Sequence, residues 1–240
     1  MINAEPLPAS TQQRLAQLDL SADAVVAALP AHLTLSLIDG VLSLCDPQKT
    51  QSTLSVSFNQ ADLLYRAQGH LGGEHVVKAC QIRGQKNIKL LDATCGLGID
   101  SYLLHQAGFV VTAVERHPLI HALLKDALVR YENEHQRQLF QLLYQDSKSL
   151  MDQEVYDVIY LDPMFPPKRK SAKNKKGMQL FQDLNHSHAD EAVEMVEHAL
   201  KARTKRVVIK RPQKAPTVTK FKPTFQIPGK TCRFDAYQVG

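Results

Sequence analysis

From about residue 73 onward the chain alternates short apolar runs with stretches whose apolar residues recur at helical spacing. The runs fall at 88–91, 109–114, 139–144, 155–161 and 207–209, each the length of a buried strand. After Pro118, residues Ile120, Leu123, Leu124, Ala127, Leu128 and Tyr131 share one helix face, and Ala192, Met195, Val196, Ala199 and Leu200 share another. Strands alternating with helices predict right-handed crossovers and a mainly parallel, doubly wound α/β sheet of Rossmann-like kind. The end breaks the rhythm. Residues 224–227 and 233–239 flank Pro228-Gly229 with no helix between them, which predicts an antiparallel hairpin at one sheet edge.

The first 72 residues follow a different pattern. A loose helical period over 10–29 stops at Pro30, and two β-like runs, 33–38 and 41–44, flank Asp39-Gly40, a hairpin-turn pair. Residues 53–58 are a further strand candidate. We therefore expect a small α+β amino-terminal subdomain over 1–72 and a Rossmann-like domain over 73–240.

Composition narrows the class. With 240 residues, 44% of them hydrophobic and 22% charged, the chain is an ordinary globular protein with room for a sizeable core. No apolar run approaches the roughly 18 residues of a membrane span, and the first residues lack the basic flank of a secretory signal. Four dispersed cysteines without a CxxC pair, and ten histidines without metal spacing, predict neither a disulfide framework nor a metal site. A cytoplasmic location follows. The net charge of +5 matters because bases are concentrated: Lys168, Arg169, Lys170, Lys173, Lys175 and Lys176 fall in one acid-free stretch. Such a run is usually a solvated face; beside a base pocket it fits a polyanion, and Lys205-Arg206 and Lys210-Arg211 extend it.

Four blocks carry candidate chemistry. In Asp92-Ala93-Thr94-Cys95-Gly96-Leu97-Gly98-Ile99-Asp100 a buried run enters a glycine turn and then a helix, so the backbone can approach a ligand closely. An ordinary βα turn looks the same. A dinucleotide site calls for a third glycine where Ser101 stands, which tilts the choice towards S-adenosylmethionine (SAM), a sulfonium without phosphate. Next, Glu115-Arg116 ends the following run, where an acid can accept both ribose hydroxyls; the alternative is a solvated acid near a helix start. A softer element, Asp146-Ser147, is placed to meet an adenine amine or simply to cap a helix. The most specific block is Asp162-Pro163-Met164-Phe165. It is similar to the (Asp/Asn)-Pro-Pro-(Tyr/Phe) motif of amino-methyltransferases, with Met164 replacing the second proline. A carboxylate and a backbone carbonyl accept the N–H bonds of a poorly nucleophilic exocyclic amine, while the aromatic ring stacks on the base. Asp162, Pro163 and Phe165 are the candidate catalytic residues. Cys95, inside the glycine turn, is expected only to pack.

Taken with Glu115-Arg116-x-Pro118, the lysine-rich continuation and Val207-Val208-Ile209-Lys210-Arg211-Pro212, these blocks resemble the RsmJ family of small-subunit ribosomal RNA guanine-N2 methyltransferases over roughly 54–238. The resemblance implies SAM contacts at Ile99-Asp100, Glu115-Arg116, Asp146-Ser147 and Asp162, beside the glycine-turn residues Asp92, Gly96 and Gly98. It also implies a guanine near the 3′ end of 16S rRNA as target, with the small ribosomal subunit as partner. The sequence departs from the family at Ile99, where arginine is usual, and at Asp146, where a small residue is usual. Another nucleic acid as substrate, a protein glutamine, or a silent RNA-binding assembly factor are the alternatives. A monomer is slightly favoured over an oligomer.

Overall fold

The computed structural model describes residues 7–49, 52–69, 71–163 and 189–239, together with Leu180, Phe181 and Leu184. They form two compact units. The first holds the described residues of Met1–Ser57, His117–Gln138 and Pro167–His186, the second those of Phe58–Arg116, Leu139–Pro166 and Ser187–Gly240. No helix among the described residues is long and apolar enough to cross a membrane.

In the first unit, helices α1 (Ala9–Gln17) and α2 (Ala22–Ala27) precede strands β1 (Thr34–Ile38), β2 (Val41–Cys45) and β3 (Thr53–Leu54), which pair antiparallel in that order. The expected hairpin is present. Asp39 and Gly40 both take positive φ, 49° and 77°, as a two-residue turn matching the strand twist requires. The single helix expected over 10–29 is instead two. Asp19 turns left-handed at φ 56° and the Ser21 hydroxyl then caps α2, accepting from the Ala24 N–H at 3.3 Å. The strand expected over 53–58 pairs only at its first two residues, after which the Val56 carbonyl accepts from Arg130. A long helix (Pro118–His135) completes this unit. Its buried Asp126 accepts from Arg14 Nε at 2.7 Å, Arg130 Nε at 2.8 Å and the Leu42 N–H at 3.2 Å.

The second unit contains, in chain order, α3 (Ala61–Gln68), α4 (His75–Cys80), β4 (Lys89–Asp92), α5 (Ile99–Gln106) and β5 (Val110–Val114). Helix α6 (Pro118–His135), which belongs to the first unit, intervenes; then come β6 (Gln141–Leu143), α7 (Ser147–Gln153), β7 (Val158–Leu161), α8 (Ala189–Lys201), β8 (Arg206–Pro212), β9 (Phe225–Pro228) and β10 (Cys232–Gln238). Its seven strands run β6-β5-β4-β7-β8-β10-β9. The first five are parallel, as expected, and β10 and β9 form the antiparallel edge. Leu90, Leu91, Val158, Ile159 and Val207 to Ile209 are at most 1% exposed, which explains why these strands are apolar runs. Chain order proceeds outward in one direction from β4 to β5 and in the other from β7 to β8, so the strand ends between β4 and β7 form the switch point at which open α/β sheets bind ligands.

Candidate functional site

The turn after β4 is shaped by its own side chains. Asp92 Oδ1 accepts the Thr94 N–H at 3.2 Å, and Gly96 and Gly98 take φ of 54° and 75°, conformations that side chains disfavour. Gly98 closes the turn by donating its N–H to the Cys95 carbonyl at 2.8 Å and hands over to α5, whose first residue is Ile99. Ser101 stands where a dinucleotide site has its third glycine, and its hydroxyl donates to Asp92 Oδ2 at 2.6 Å. Asp92 is 1% exposed, and burial pushes its carboxyl up to about 7. Burial likewise drives the Cys95 thiol well above its ordinary value, which leaves it a packing residue.

Neighbouring strand ends are tied to this turn. Glu115 follows β5, is buried, and accepts the Gly96 N–H at 3.1 Å through Oε2. Asp162 follows β7 and donates its own N–H to Thr94 Oγ1 at 2.7 Å. Thr94 and Glu115 thus brace the glycine turn from both sides. Pro163 is buried behind Asp162, while Phe165 and the lysine-rich stretch Lys168 to Lys176 lie outside the described residues.

Lys210 occupies the centre. The parallel register Leu161↔Ile209 sets the next residues, Asp162 and Lys210, side by side. Lys210 Nζ lies 2.9 Å from Asp162 Oδ2 and 2.8 Å from Asp100 Oδ2, and Tyr160 donates its hydroxyl to the same Asp100 oxygen at 2.7 Å. Burial pushes Asp162 upward and the Lys210 charge only partly opposes it, so its pKa is raised. For Asp100 burial also acts upward, but Lys210 and Tyr160 outweigh it and hold the carboxyl below its usual range. Lys210 is raised in turn, the two carboxylates prevailing over its own desolvation.

Other expected site residues have protein partners of their own. Asp146 caps α7, its Oδ1 accepting the Lys148 N–H at 2.8 Å, and Ser147 is buried just behind it. Arg116 pairs with Glu191 at 2.7 Å on the surface. The expected phosphate patch needs correction around β8. Lys210 is committed to two carboxylates, and Arg211 is buried with Nη2 donating to the Pro216 carbonyl at 2.9 Å. Arg206 points inward to the carbonyls of Ala79 and Gln81, with its guanidinium 4.9 Å from the Phe225 ring centroid. Sequence inspection gave Lys210 a phosphate-contact role instead of this one and gave no role to Tyr160, Thr94 or Ser101. Thr94 and Ser101 stood in or next to the glycine motif; nothing local marked Tyr160, and the Lys-Arg pair disguised Lys210.

Comparison with known proteins decides the family. The profile described as "Putative SAM-dependent methyltransferase" matches residues 19–239. Ribosomal RNA small subunit methyltransferase J of Hahella chejuensis is 39% identical over 199 residues, covering 77% of this chain and 72% of the relative. Its counterpart in Idiomarina loihiensis is 41% identical over 214 residues, covering 84% and 80%. The chain belongs to the ribosomal RNA small subunit methyltransferase J family. The crystal structure of the SAM-dependent methyltransferase NGO1261 from Neisseria gonorrhoeae agrees, with TM-score 0.71 and 27% identity over 98% of this chain and 93% of that one. The match begins well before residue 54, so more of the amino-terminal part belongs to the family than the motifs alone suggested.

The site of this methyltransferase fits its donor. SAM carries a sulfonium, an ammonium and a carboxylate, hence one net positive charge. Among the described residues, Asp92, Asp100, Glu115 and Asp162 gather about the glycine turn with Lys210 between two of them, which leaves this edge net acidic, as a cationic ligand requires. The glycine turn supplies the close backbone approach.

Proposed function

We propose that this methyltransferase transfers the SAM methyl group to the exocyclic N2 of a guanine near the 3′ end of 16S rRNA, with the small ribosomal subunit as its partner. The observation that carries this is Asp162 at the end of β7, its N–H donated to Thr94 of the glycine turn and its carboxylate paired with Lys210. When bound, SAM supplies an electrophilic methyl on a cationic sulfur.

On this reading Asp92, Gly96, Gly98, Ile99 and Asp100 line the donor's amino-acid end, and Glu115 and Arg116 its ribose. Asp146 and Ser147 serve its adenine. Asp162 and the main-chain carbonyl beside it accept the two N–H bonds of the guanine amine. That shifts lone-pair density from the ring back to nitrogen and aligns it for in-line attack. Phe165 stacks on the base, and Lys168, Arg169, Lys170, Lys173, Lys175 and Lys176 hold the adjacent phosphates. We also propose a cytoplasmic monomer that uses no metal, divided into an amino-terminal subdomain over 1–72 and a catalytic domain over 73–240.

The test is transfer of radiolabelled methyl to purified small subunits, with mass mapping of rRNA from cells with and without the gene. One guanine N2-methyl should vanish with the gene. Asp162→Ala should lower transfer by on the order of 100-fold, well beyond any accompanying loss of calorimetric SAM affinity. Transfer to DNA or to a protein glutamine, with rRNA untouched, would overturn the proposal.

A further inference from the structure

Residues 213–224 join β8 to β9 as a strap with no helix or strand of its own. Structureless connections of about 12 residues are uncommon in compact domains and are usually functional. This one is built. Arg233 Nη1 donates to the carbonyls of Pro212, Gln213 and Ala215 at 3.2, 2.8 and 2.7 Å, and Arg211 holds Pro216. Val218 packs against the core and Thr219 is buried. So anchored, the strap presents Lys220-Phe221-Lys222 to solvent. Phe221 is 58% exposed, and Lys220 Nζ lies 5.7 Å from its ring centroid. A large ring kept in water on a tied backbone forgoes the free energy its burial would give.

The charge along the strap itself has one sign. Between His198 and Phe234 the sequence has eleven lysines and arginines and no acid, and of these Arg206, Lys210, Arg211 and Arg233 are spent on internal partners. Outside this stretch and the stretch Lys168 to Lys176 the chain carries twice as many acids as bases. Lys214, Lys220, Lys222 and Lys230 are exposed. The strap leaves β8 just past Lys210, at the strand end that also bears Asp162, and returns at Phe225, whose partner Ala236 lies opposite Val208, farther back along the sheet. A polyanion following the strap therefore arrives at the edge where Asp162 sits.

We infer that the strap is an RNA-docking surface, with Phe221 stacking on an unpaired base and Lys214, Lys220 and Lys222 contacting the flanking phosphates. The inference rests on the RNA substrate proposed above. An aromatic ring bracketed by lysines suits single-stranded nucleic acid, because every base has a π face and the backbone on either side is anionic. A purely electrostatic duplex contact would have no use for the ring.

The test compares wild type with Phe221→Ala, Phe221→Tyr and the double variant K220Q/K222Q. Their affinity for a fluorescent single-stranded RNA of mixed sequence is measured across salt, with methyl transfer to small subunits as a second readout. Phe221→Ala should bind about tenfold more weakly with unchanged SAM affinity, and Phe221→Tyr should restore binding. K220Q/K222Q should flatten the log–log salt slope by about 1.4, roughly 0.7 per lost phosphate contact. If Phe221→Ala binds RNA and methylates subunits as wild type does, the inference fails while the substrate proposal stands. If wild type binds RNA through Phe221 yet methylates no rRNA, the surface stands and the substrate proposal fails. A defect seen with whole subunits but not with free RNA would assign the strap to a ribosomal protein and overturn the RNA docking.

Discussion

Replacing Lys210 by methionine probes the charge balance at the centre of the site. The ammonium lies 2.8 Å from Asp100 and 2.9 Å from Asp162, so K210M removes two charge-assisted hydrogen bonds together. Each such bond contributes about 1.5–3 kcal/mol, and breaking a fully buried pair costs about 3–5 kcal/mol. The side chains of Lys210 and Asp162 are 27% and 40% exposed, so water replaces part of what is lost. The expected loss is about 2 kcal/mol near neutral pH, or roughly 4–8 °C in Tm for a chain of this size. Its pH dependence has a definite sign. Asp100 is held below its usual range, so its contribution is present above the ordinary carboxylate pKa and disappears as pH falls through the depressed value. Melting temperatures of wild type and K210M should therefore converge in acid. Asp162 behaves in the opposite sense. Burial raises it and Lys210 restrains it, so without the ammonium it climbs further. Because only the carboxylate form accepts the amine, the acid limb of the single-turnover pH–rate profile should move to higher pH in K210M and partly return in Lys210→Arg. A Tm within about 1 °C of wild type, together with an overlaying pH profile, would refute this account.

Asp126 makes a separate, structural prediction. Its fully buried carboxylate holds two arginines and a strand N–H, so Asp126→Ala should cost about 3–5 kcal/mol in denaturant-monitored stability, and a loss below about 1 kcal/mol would contradict the assigned role. Asp92 predicts a pH effect of the other sign. Its carboxyl, raised to about 7 by burial, binds a proton in the folded state that the unfolded chain has released, so it weakens the fold as pH rises from the ordinary carboxylate range through about 7, by up to about 4 kcal/mol. Asp92→Asn should then match wild type in acid and exceed it in mild alkali. Calorimetric SAM affinity should rise through the same pH window in wild type and stay flat in the variant.

The strands and the glycine turn were legible because their signals are local. Uninterrupted apolar runs gave β4, β5, β7 and β8, and Asp39-Gly40 and Pro228-Gly229 marked both hairpins. Helices α3, α4 and α7, of eight, six and seven residues, are too short for a periodic pattern to emerge. Residues 53–58 are a strand candidate in the sequence, yet Phe58 instead stacks its ring on Tyr102 at 5.1 Å between centroids. Asp92, Glu115 and Asp162 could be named because each ends a strand at the switch point. Lys210 could not be placed. Its Lys-Arg neighbourhood has the composition of a phosphate patch, and only the β7–β8 register, joining residues 48 apart, reveals that two carboxylates claim the ammonium. Arg206 and Arg211 misled for the same reason, since a buried arginine spent on carbonyls has the same letter as an exposed one.

The sorting of charge follows from the two ligands the proposed reaction needs. A cationic donor calls for carboxylates at the strand ends, but those same carboxylates would repel a polyanion brought within a few ångströms. Screening acts over about 8 Å at physiological ionic strength, so bases farther out along the strap cannot neutralise the pocket itself. That task falls to Lys210. With Asp100 and Asp162 it forms a cluster of net charge −1, which the donor's single positive charge then balances. A guanine on an anionic strand thus meets a less negative pocket when donor is present. Donor binding should therefore strengthen RNA binding, most of all at low salt, and K210M should weaken RNA binding at low salt even though its ammonium touches no phosphate. Equal RNA affinity with and without donor, at every salt concentration, would show that the pocket charge has no part in ordering the two ligands.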